Sequence, residues 1–284
     1  MSKIGASVKV AVITPDKHFA HSVNGVKPQD RHDPAALSVV LQILKDIKPD
    51  IYVDLGDLVH LAYITHWNAA KDMIGRTKSE DGGFVEMCLM EDHKLVNRWL
   101  DHVQSACRKD TQYFQLEGNH EEILRNSSYM HKFDGLDKTQ FNAIKSWDLE
   151  QRKMKYIPYQ KYSSKPNYLQ IGKLRILHGQ YVATNHLTRH WMSHQCSLIY
   201  GHLHTIESKS FPTSENHQSV QTIGCLCTPQ ASYHRGRNNA WGQAISVVYL
   251  FPNGQFRDVL VRIINGVAVF NGKVYRSKHE RWME

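Results

Sequence analysis

The sequence predicts an α/β protein, and three features of the chain support this fold class. Near the N-terminus an apolar run, an amphipathic stretch and a second apolar run follow one another, which is the pattern of a βαβ unit. Asp, Asn and His recur directly after apolar runs, and open α/β sheets bind their ligands at the carboxyl ends of strands. The C-terminal part is rich in strand and hairpin signals.

The predicted βαβ unit begins with a strand at 8–13. Asp33 is a favourable N-cap and is followed by a proline at the first helical position, so a helix is predicted from there to about Lys48. A second strand at 51–53 is expected to end at Gly56, where the chain must turn sharply without a side chain in the way.

The remaining elements follow from the same signals. Helices are predicted at about 84–108, shortly after residue 121 and at about 184–194, and strands at 113–116, 168–171, 174–177, 197–200, 219–227, 243–251 and 256–264. Residues 61–83 show no clear period, and we interpret them as an insertion. Residues 126–167 are polar with lysines and tyrosines interleaved, and we interpret them as a lid or an inserted subdomain. Residues 1–284 are therefore predicted to form one domain with two insertions.

Composition narrows the class of protein. An apolar fraction of 41% and a charged fraction of 22% are those of an ordinary globular protein. No apolar run approaches the roughly 20 residues that cross a bilayer, and the first residues lack the features of a signal peptide. The five cysteines have no regular spacing, which argues against a disulfide framework, and we expect Cys225 and Cys227 on strand faces. We therefore expect a protein of the reducing cytoplasm. We expect no membrane partner.

Charge and histidine content point to possible ligands. A net charge of +8 favours polyanions such as DNA or RNA, although a plain soluble surface can carry the same charge. Eighteen histidines are the more unusual feature, because His is the commonest metal ligand. Most histidines are nevertheless structural. Five have no place in the pattern described next: His21, His32, His66, His93 and His131. We favour surface positions for the first two, with pocket lining as the alternative.

Polar side chains that bind metal ions follow five predicted strands. They are Asp16 and His18, Asp57, Asn119 and His120, His178, and His202 with His204. Residues two apart on an extended segment point to the same side, so the first and last pairs can each hold one ion. Carboxylates mixed with imidazoles suit Mn, Fe or Zn better than Mg or Ca. Seven ligands drawn from these eight side chains are too many for one ion and fit two ions that share a carboxylate.

The motifs and their order resemble the calcineurin-like metallophosphoesterase superfamily. Its pattern is D-x-H, G-D-x-x-(D/H), G-N-H-(D/E), a lone H and G-H-x-H. The chain has Asp16-Lys17-His18, Gly56-Asp57-Leu58-Val59-His60, Gly118-Asn119-His120-Glu121, His178 and Gly201-His202-Leu203-His204. The resemblance extends from residue 8 to residue 204, and the strand-rich remainder fits the second sheet of that fold. It implies a four-layer α/β/β/α sandwich of two mixed sheets, with the site at one edge.

The resemblance also implies a role for each motif residue. One metal ion would be held by Asp16, His18 and His204, the other by Asn119, His178 and His202, with Asp57 bridging them. His120 would face the substrate and protonate the leaving oxygen or stabilise the phosphoryl group, with His60 as its partner. Hydrolysis would then use a hydroxide that bridges the ions. We expect Mn, with Fe, Zn, Ni and Mg as alternatives.

The second motif bears on the substrate. Protein serine/threonine phosphatases have Asp at its last position within G-D-x-V-D-R-G, whereas this chain has His60 followed by Leu61. G-D-L-x-H is instead similar to the Mre11/SbcD-type nucleases. We therefore expect hydrolysis of phosphodiester bonds in nucleic acid. The alternatives are a phosphomonoesterase or small-nucleotide phosphodiesterase and, in a different class, a catalytically inactive scaffold. The predicted substrate-binding residues are Lys153, Lys155, Arg235 and Arg237, with a plain solvated surface as the alternative for each.

Overall fold

The computed structural model describes two β-sheets with helices packed against them. The described residues are 7–21, 31–61, 82–125, 142–159, 168–214, 217–231 and 239–278. The predicted insertion at 61–83 therefore lies mostly outside the described residues, as does much of the predicted insertion at 126–167.

The helices and strands have the following bounds. The helices are α1 (Pro34–Ile47), α2 (Gly82–Ala106), α3 (Asn119–Arg125), α4 (Ala143–Ser146) and α5 (His186–His194). The strands are β1 (Lys9–Thr14), β2 (Ile51–Asp54), β3 (Gln112–Leu116), β4 (Met154–Ile157), β5 (Leu169–Ile171), β6 (Leu174–Leu177), β7 (Ser197–Tyr200), β8 (Ile206–Pro212), β9 (His217–Ile223), β10 (Gln243–Leu250), β11 (Phe256–Ile264), β12 (Val267–Phe270) and β13 (Lys273–Arg276). Among the described helices, none combines the length and the apolar character needed to cross a membrane.

Both sheets mix parallel and antiparallel strands. The larger sheet has the order β13-β12-β11-β10-β1-β2-β3-β4, and the smaller has the order β5-β6-β7-β9-β8. Strands β1 to β4 are parallel, while β10 pairs antiparallel with β1. In the smaller sheet β6, β7 and β9 are parallel, with antiparallel strands at both edges. The predicted α/β class with two mixed sheets is confirmed.

Three apolar cores hold these elements together. In the first, residues of α1 and α2 such as Leu44 and Trp99 pack on one face of the larger sheet. The second lies between the two sheets and includes Val53 from the larger and Ile199 from the smaller. In the third, Trp191 of α5 packs on the other face of the smaller sheet. Burying a large apolar side chain contributes about 1.5–3 kcal/mol, so these cores fix where the strand ends meet.

Helix α1 forms where its capping residues predict it. The Oδ1 atom of Asp33 accepts hydrogen bonds from the backbone N–H groups of Ala35 at 2.8 Å and Ala36 at 3.3 Å. At the other end Lys48 is left-handed, and its N–H donates to the carbonyl of Leu44 at 2.8 Å. The free N–H groups at the start of the helix are thus satisfied by Asp33, as the sequence indicates.

The structure differs from the sequence prediction in the region predicted as a lid or subdomain. Strand β4 lies within 126–167, yet it is the edge strand of the larger sheet and pairs in parallel with β3. Arg152 attaches the preceding segment to α2, because its Nη1 lies 2.6 Å from Asp101 Oδ1. Strand β4 therefore belongs to the main sheet, and the described segment before it packs against α2. Four strand residues among lysines are too few to give a periodic signal.

Other differences concern a strand that the sequence prediction lacks and the start of a helix. Strand β8 is absent from the sequence prediction, because most of its side chains are exposed and it lacks apolar alternation, as is common at a sheet edge. Helix α3 begins earlier than predicted, so Asn119 and His120 occupy its first turn.

Candidate metal centre

Five strand ends meet at one edge of the two sheets. In the larger sheet β1, β2 and β3 are parallel neighbours, and β6 and β7 are parallel neighbours in the smaller one. The carboxyl ends of parallel strands lie at the same edge of a sheet, so the residues that follow them are brought together. All seven predicted metal ligands, together with His120 and His60, lie in this cluster.

The first group of candidate metal ligands, called donors below, consists of Asp16, His18 and His204, all of which are buried. The Nε2 atoms of the two histidines lie 3.0 Å apart, and His204 Nε2 lies 3.7 Å from Asp16 Oδ1. The backbone N–H of His202 donates to the Asp16 carboxylate at 3.0 and 3.2 Å. A Cβ atom at Gly201 would lie 2.2 Å from Asp16 Oδ2, so the G-H-x-H motif needs glycine to admit this carboxylate.

The second group consists of Asn119, His178 and His202. Asn119 Oδ1 lies 3.0 Å from His178 Nε2 and 2.7 Å from His202 Nδ1. His178 Nδ1 lies 2.8 Å from the carbonyl oxygen of Leu55, which can only accept, so Nδ1 carries the hydrogen. In the neutral ring, Nε2 then presents its lone pair to the site, which is how outer contacts prepare a histidine for a metal ion.

Asp57 lies between the two groups. Its Oδ2 atom is 3.4 Å from His178 Nε2 and 3.9 Å from His18 Nε2, and its Oδ1 accepts the backbone N–H of His120 at 3.0 Å. Burial opposes ionisation of this carboxyl, but His178 and His120 hold its pKa well below the ordinary value. A single carboxylate thus faces both groups of donors.

Several donor residues have left-handed backbone conformations. The φ angles are 53° at His18, 49° at Asp57, 71° at His202 and 63° at His204. Such a conformation costs roughly 1–2 kcal/mol for a residue with a side chain, and such residues cluster at functional sites. The surrounding hydrogen bonds must therefore hold these four residues in place.

Glu121 supplies much of that support and is a residue whose role the sequence did not reveal. Its buried carboxylate accepts the backbone N–H groups of Asp57 at 2.8 Å, Leu58 at 2.7 Å, Val59 at 3.2 Å and Gly118 at 2.7 Å. These four bonds hold the turn that presents Asp57. The glutamate at the last position of G-N-H-E was the signal in the sequence that could have indicated this role. Only the fold shows which backbone N–H groups its carboxylate accepts.

His120 and His60 lie beside the first group of donors. His120 Nδ1 donates to the carbonyl oxygen of His60 at 2.7 Å, which leaves Nε2 for a contact within the site. The two rings are stacked with centroids 5.9 Å apart. Burial and the nearby His120 lower the pKa of His60 to about 3, so its imidazole is neutral. The predicted partnership is therefore made through the His60 main chain and ring face.

Protonation differs between the donors of the second group. Burial disfavours a charge on His178, but Asp57 outweighs it and raises the pKa of His178 to about 10. Burial, followed by repulsion from His178, lowers the pKa of His202 to about 4. Without a metal ion the His178 ring therefore carries a second proton, on Nε2, and a cation that binds at this atom would have to displace it.

The donor atoms are spaced as ligands of shared ions would be. Metal–ligand bonds of about 2.1 Å at right angles place neighbouring ligand atoms roughly 3 Å apart. Two of the groups whose donor atoms all lie within 4.8 Å of one another are Asp16, His18 and Asp57, and Asp57, His178 and His202. Asp57 belongs to both groups. Nitrogen and carboxylate donors together fit cations such as Mn, Fe or Zn.

Two neighbours of His204 have no counterpart in the sequence prediction of the site. Cys227 Sγ lies 3.8 Å from His204 Nδ1, on the side of the ring away from Nε2. The Trp241 ring meets the His204 ring edge to face, with centroids 4.1 Å apart. Cys225 and Cys227 are both buried and take part in isolated bridges just beyond β9, close to the strand positions predicted for them.

The predicted substrate-binding residues are not all placed at the site. Lys153 precedes β4 and lies at the end of the sheet opposite the metal ligands. Lys155 is exposed on that edge strand, with Nζ 5.6 Å from the centre of the Phe114 ring. Arg235 and Arg237 lie outside the described residues.

The histidines outside the motifs have structural settings where they are described. His32 is buried and packs against Phe19, so the surface position favoured for it is wrong. His93 is buried and its Nδ1 accepts from Trp147 Nε1 at 2.7 Å. His66 and His131 lie outside the described residues.

Comparison with known proteins gives similarity at the level of solved structures. No family model matches the sequence, and no curated protein matches it. The chain is similar to Vps29 of Chaetomium thermophilum, with 8% identity, a TM-score of 0.36, and coverage of 95% of this chain and 100% of that one. It is also similar to TT1561 of Thermus thermophilus, with 9% identity, a TM-score of 0.34, and coverage of 89% and 99%. Both TM-scores are below 0.5, so function must be argued from the geometry of the site.

Proposed function

We propose that the protein is a phosphoester hydrolase that uses two divalent metal ions. The observation that carries this proposal is the position of Asp57, whose one carboxylate faces both His18 and His178. A shared carboxylate reduces the repulsion between two neighbouring cations. When bound, such an ion pair orients a phosphate, activates water and stabilises the charge that develops during hydrolysis.

The protein would contribute one set of donors to each ion. Asp16, His18 and His204 would hold the first, Asn119, His178 and His202 the second, and Asp57 both. Manganese is the ion we propose, because the mixed donors lie between those of magnesium and zinc sites.

His120 is the residue we propose to act on the leaving group. Its Nδ1 hydrogen is committed to the His60 carbonyl, so a second proton on this ring must sit on Nε2. From that atom His120 can donate to a departing oxygen or hydrogen-bond to the phosphoryl group. His120 is half-buried, whereas most of the donors around it are buried, which suits contact with a substrate.

The packing supports assignment to the calcineurin-like metallophosphoesterase fold. Helices α1 and α2 lie against one face of the larger sheet, and α5 lies against the far face of the smaller sheet. With the core between the sheets, this is the order of layers in a four-layer α/β/β/α sandwich. We propose that residues 1–284 form one such domain.

The substrate we propose is a phosphodiester in nucleic acid. The net charge of +8 and His60 at the last position of the second motif both favour it. Arg235 and Arg237 remain candidates for binding, because described residues on both sides of their segment, Cys227 and Trp241, contact His204.

The test is a metal-controlled comparison of substrates. Protein stripped with a chelator and reloaded with Mn²⁺ should hydrolyse a nitrophenyl phosphodiester and single-stranded oligonucleotides, and the stripped protein should not. Turnover of a nitrophenyl phosphomonoester alone would replace the diester proposal with a phosphomonoesterase. Tight binding of two Mn²⁺ ions without turnover of any phosphoester would favour a scaffold.

A further inference from the structure

A buried ion pair lies next to the candidate metal centre. Lys17 Nζ is 2.6 Å from Asp54 Oδ2, and neither side chain is exposed to solvent. Lys17 stands between Asp16 and His18 in the chain, and its ammonium group lies 5.9 Å from the centre of the ring of Trp99, a core residue of α2. Lysine is almost never fully buried unless it is paired, so this placement needs a physical explanation.

The lysine fixes the loop that carries Asp16 and His18. Its ammonium group donates to the Pro15 carbonyl at 3.0 Å, in addition to the contact with Asp54. The backbone N–H groups of Lys17 and His18 both donate to the carbonyl of Asp57, at 3.0 and 2.9 Å. The loop after β1 is thereby attached to the end of β2 through the Lys17 side chain and to the loop after β2 through its main chain.

The aspartate shapes the turn that carries Asp57. Asp54 Oδ1 accepts the backbone N–H of Gly56 at 3.1 Å, and Oδ2 also accepts from the Tyr52 hydroxyl at 3.2 Å. The residue between, Leu55, offers the carbonyl oxygen that receives His178 Nδ1. Asp54 therefore supports the bridging carboxylate and, through Leu55, a donor of the second group.

We propose that Lys17 and Asp54 are positioning residues that set the distance between the Asp16/His18 loop and Asp57, and so set metal affinity. This inference rests on the metal centre of the proposed function and on nothing about its substrate. Outer partners of metal ligands typically change metal affinity by about 10–100-fold when they are replaced. Loss of one member of the pair leaves the other as a buried, unpaired charge, which pulls its loop out of place.

Positioning and simple charge effects predict opposite patterns. Lys17→Met removes a positive charge near the cations, so a pure charge effect tightens metal binding, whereas Asp54→Asn weakens it. If the pair positions the loops, both single variants weaken binding. The double variant Lys17→Met/Asp54→Asn restores neutrality and supplies a folded comparison should either single change prevent folding. Arg152→Met is the matched control, because it removes a partly buried arginine bonded to Asp101 and remote from the site.

The experiment titrates each metal-free protein with Mn²⁺ and records the electron paramagnetic resonance spectrum of the bound ions. We expect Lys17→Met and Asp54→Asn each to weaken binding by about 10–100-fold and to change the signal of the coupled ion pair. The double variant should keep weakened binding, because the link between the loops is still absent, and Arg152→Met should match the wild type. Wild-type affinity and spectrum in all site variants, or opposite shifts in the two single variants, would overturn the positioning role alone. A wild type that binds no Mn²⁺ would overturn the metal centre as well.

Discussion

The Nε2 atoms of His18 and His204 lie 3.0 Å apart in a buried site, although the two residues are 186 positions apart in the chain. Two ring nitrogens this close cannot both present lone pairs without repulsion, so a proton or a cation must lie between them. Asp16 lies 3.7 Å from one of these nitrogens and Asp57 lies 3.9 Å from the other. The surrounding negative charge makes the position favourable for a cation.

Metal loading should therefore stabilise the fold measurably. Mn²⁺ at about 100 times its dissociation constant adds about 2.7 kcal/mol per site to the free energy of unfolding. Differential scanning fluorimetry of chelator-treated protein, with and without Mn²⁺, measures the shift in Tm. His204→Ala should reduce the shift, whereas the control His217→Gln, an exposed histidine in β9, should keep it. An equal shift in wild type and His204→Ala would contradict the assignment of His204.

Asp57→Asn should be more damaging than any single change at a residue that faces one group of donors. The charge of Asp57 serves both groups, so its loss should lower occupancy at two positions at once. Elemental analysis after dialysis should find fewer bound Mn²⁺ ions in Asp57→Asn than in His202→Ala. Two firmly bound ions per chain in Asp57→Asn would exclude the bridging role.

The chain order of the motifs predicted which candidate ligands come together, because each of them follows a strand and the carboxyl ends of parallel strands lie at one edge of a sheet. Sequence did not predict what holds those ligands in position. Glu121 accepts its four N–H groups from two different loops, and Lys17 meets Asp54 across two parallel strands. Neither contact has a fixed sequence spacing. Likewise, the sequence did not predict β4, because this strand has no alternating apolar pattern of its own. It is a strand because it pairs with β3 at the edge of the larger sheet.

His120→Ala should keep bound metal and lose rate. A positioned general acid typically increases the rate by about 10²–10⁴-fold. The backbone N–H of His120, which donates to Asp57 Oδ1, is still present in the alanine variant, so the metal ligands should keep their positions. The loss should be smaller for a nitrophenyl diester, whose leaving group departs without a proton, than for an alkyl diester. Equal losses for the two substrates would argue against proton donation and leave phosphoryl contact as the role of His120.

Metal-free protein should lose stability as the pH falls from about 6.5 to about 4. Burial lowers the pKa of His93 to about 4, and its Nδ1 accepts a hydrogen bond from Trp147. The unfolded chain binds the proton first, at its ordinary pKa near 6.5. The stability that neutral His93 gives the folded protein is therefore fully present above pH 6.5. It is lost as the pH falls from 6.5 through the folded pKa of about 4, which lowers the free energy of unfolding by on the order of 3 kcal/mol.

The variant His93→Gln isolates this contribution. Glutamine can accept from Trp147 but does not titrate, so its free energy of unfolding should depend less on pH between 6.5 and 4. Urea unfolding of both proteins at several pH values measures the difference. Parallel pH dependence in the two proteins would show that His93 is not the group responsible.

Arg235 and Arg237 should account for part of the salt dependence of nucleic-acid binding. Each phosphate contact makes the slope of log affinity against log salt concentration more negative by about 0.7 for a single strand. Replacing both arginines with Ser should therefore make the slope less negative by about 1.4 and weaken oligonucleotide cleavage. A small aryl phosphodiester should still be hydrolysed at the wild-type rate. Lys153→Ser/Lys155→Ser is the charge-matched control, because Lys155 lies in the edge strand β4 and Lys153 directly precedes it, away from the candidate metal ligands.

A larger change in slope for the lysine pair would place the nucleic acid along β4 instead. Unchanged binding in both pairs would exclude all four basic residues as contacts to a polymer and would favour a small phosphodiester as the substrate.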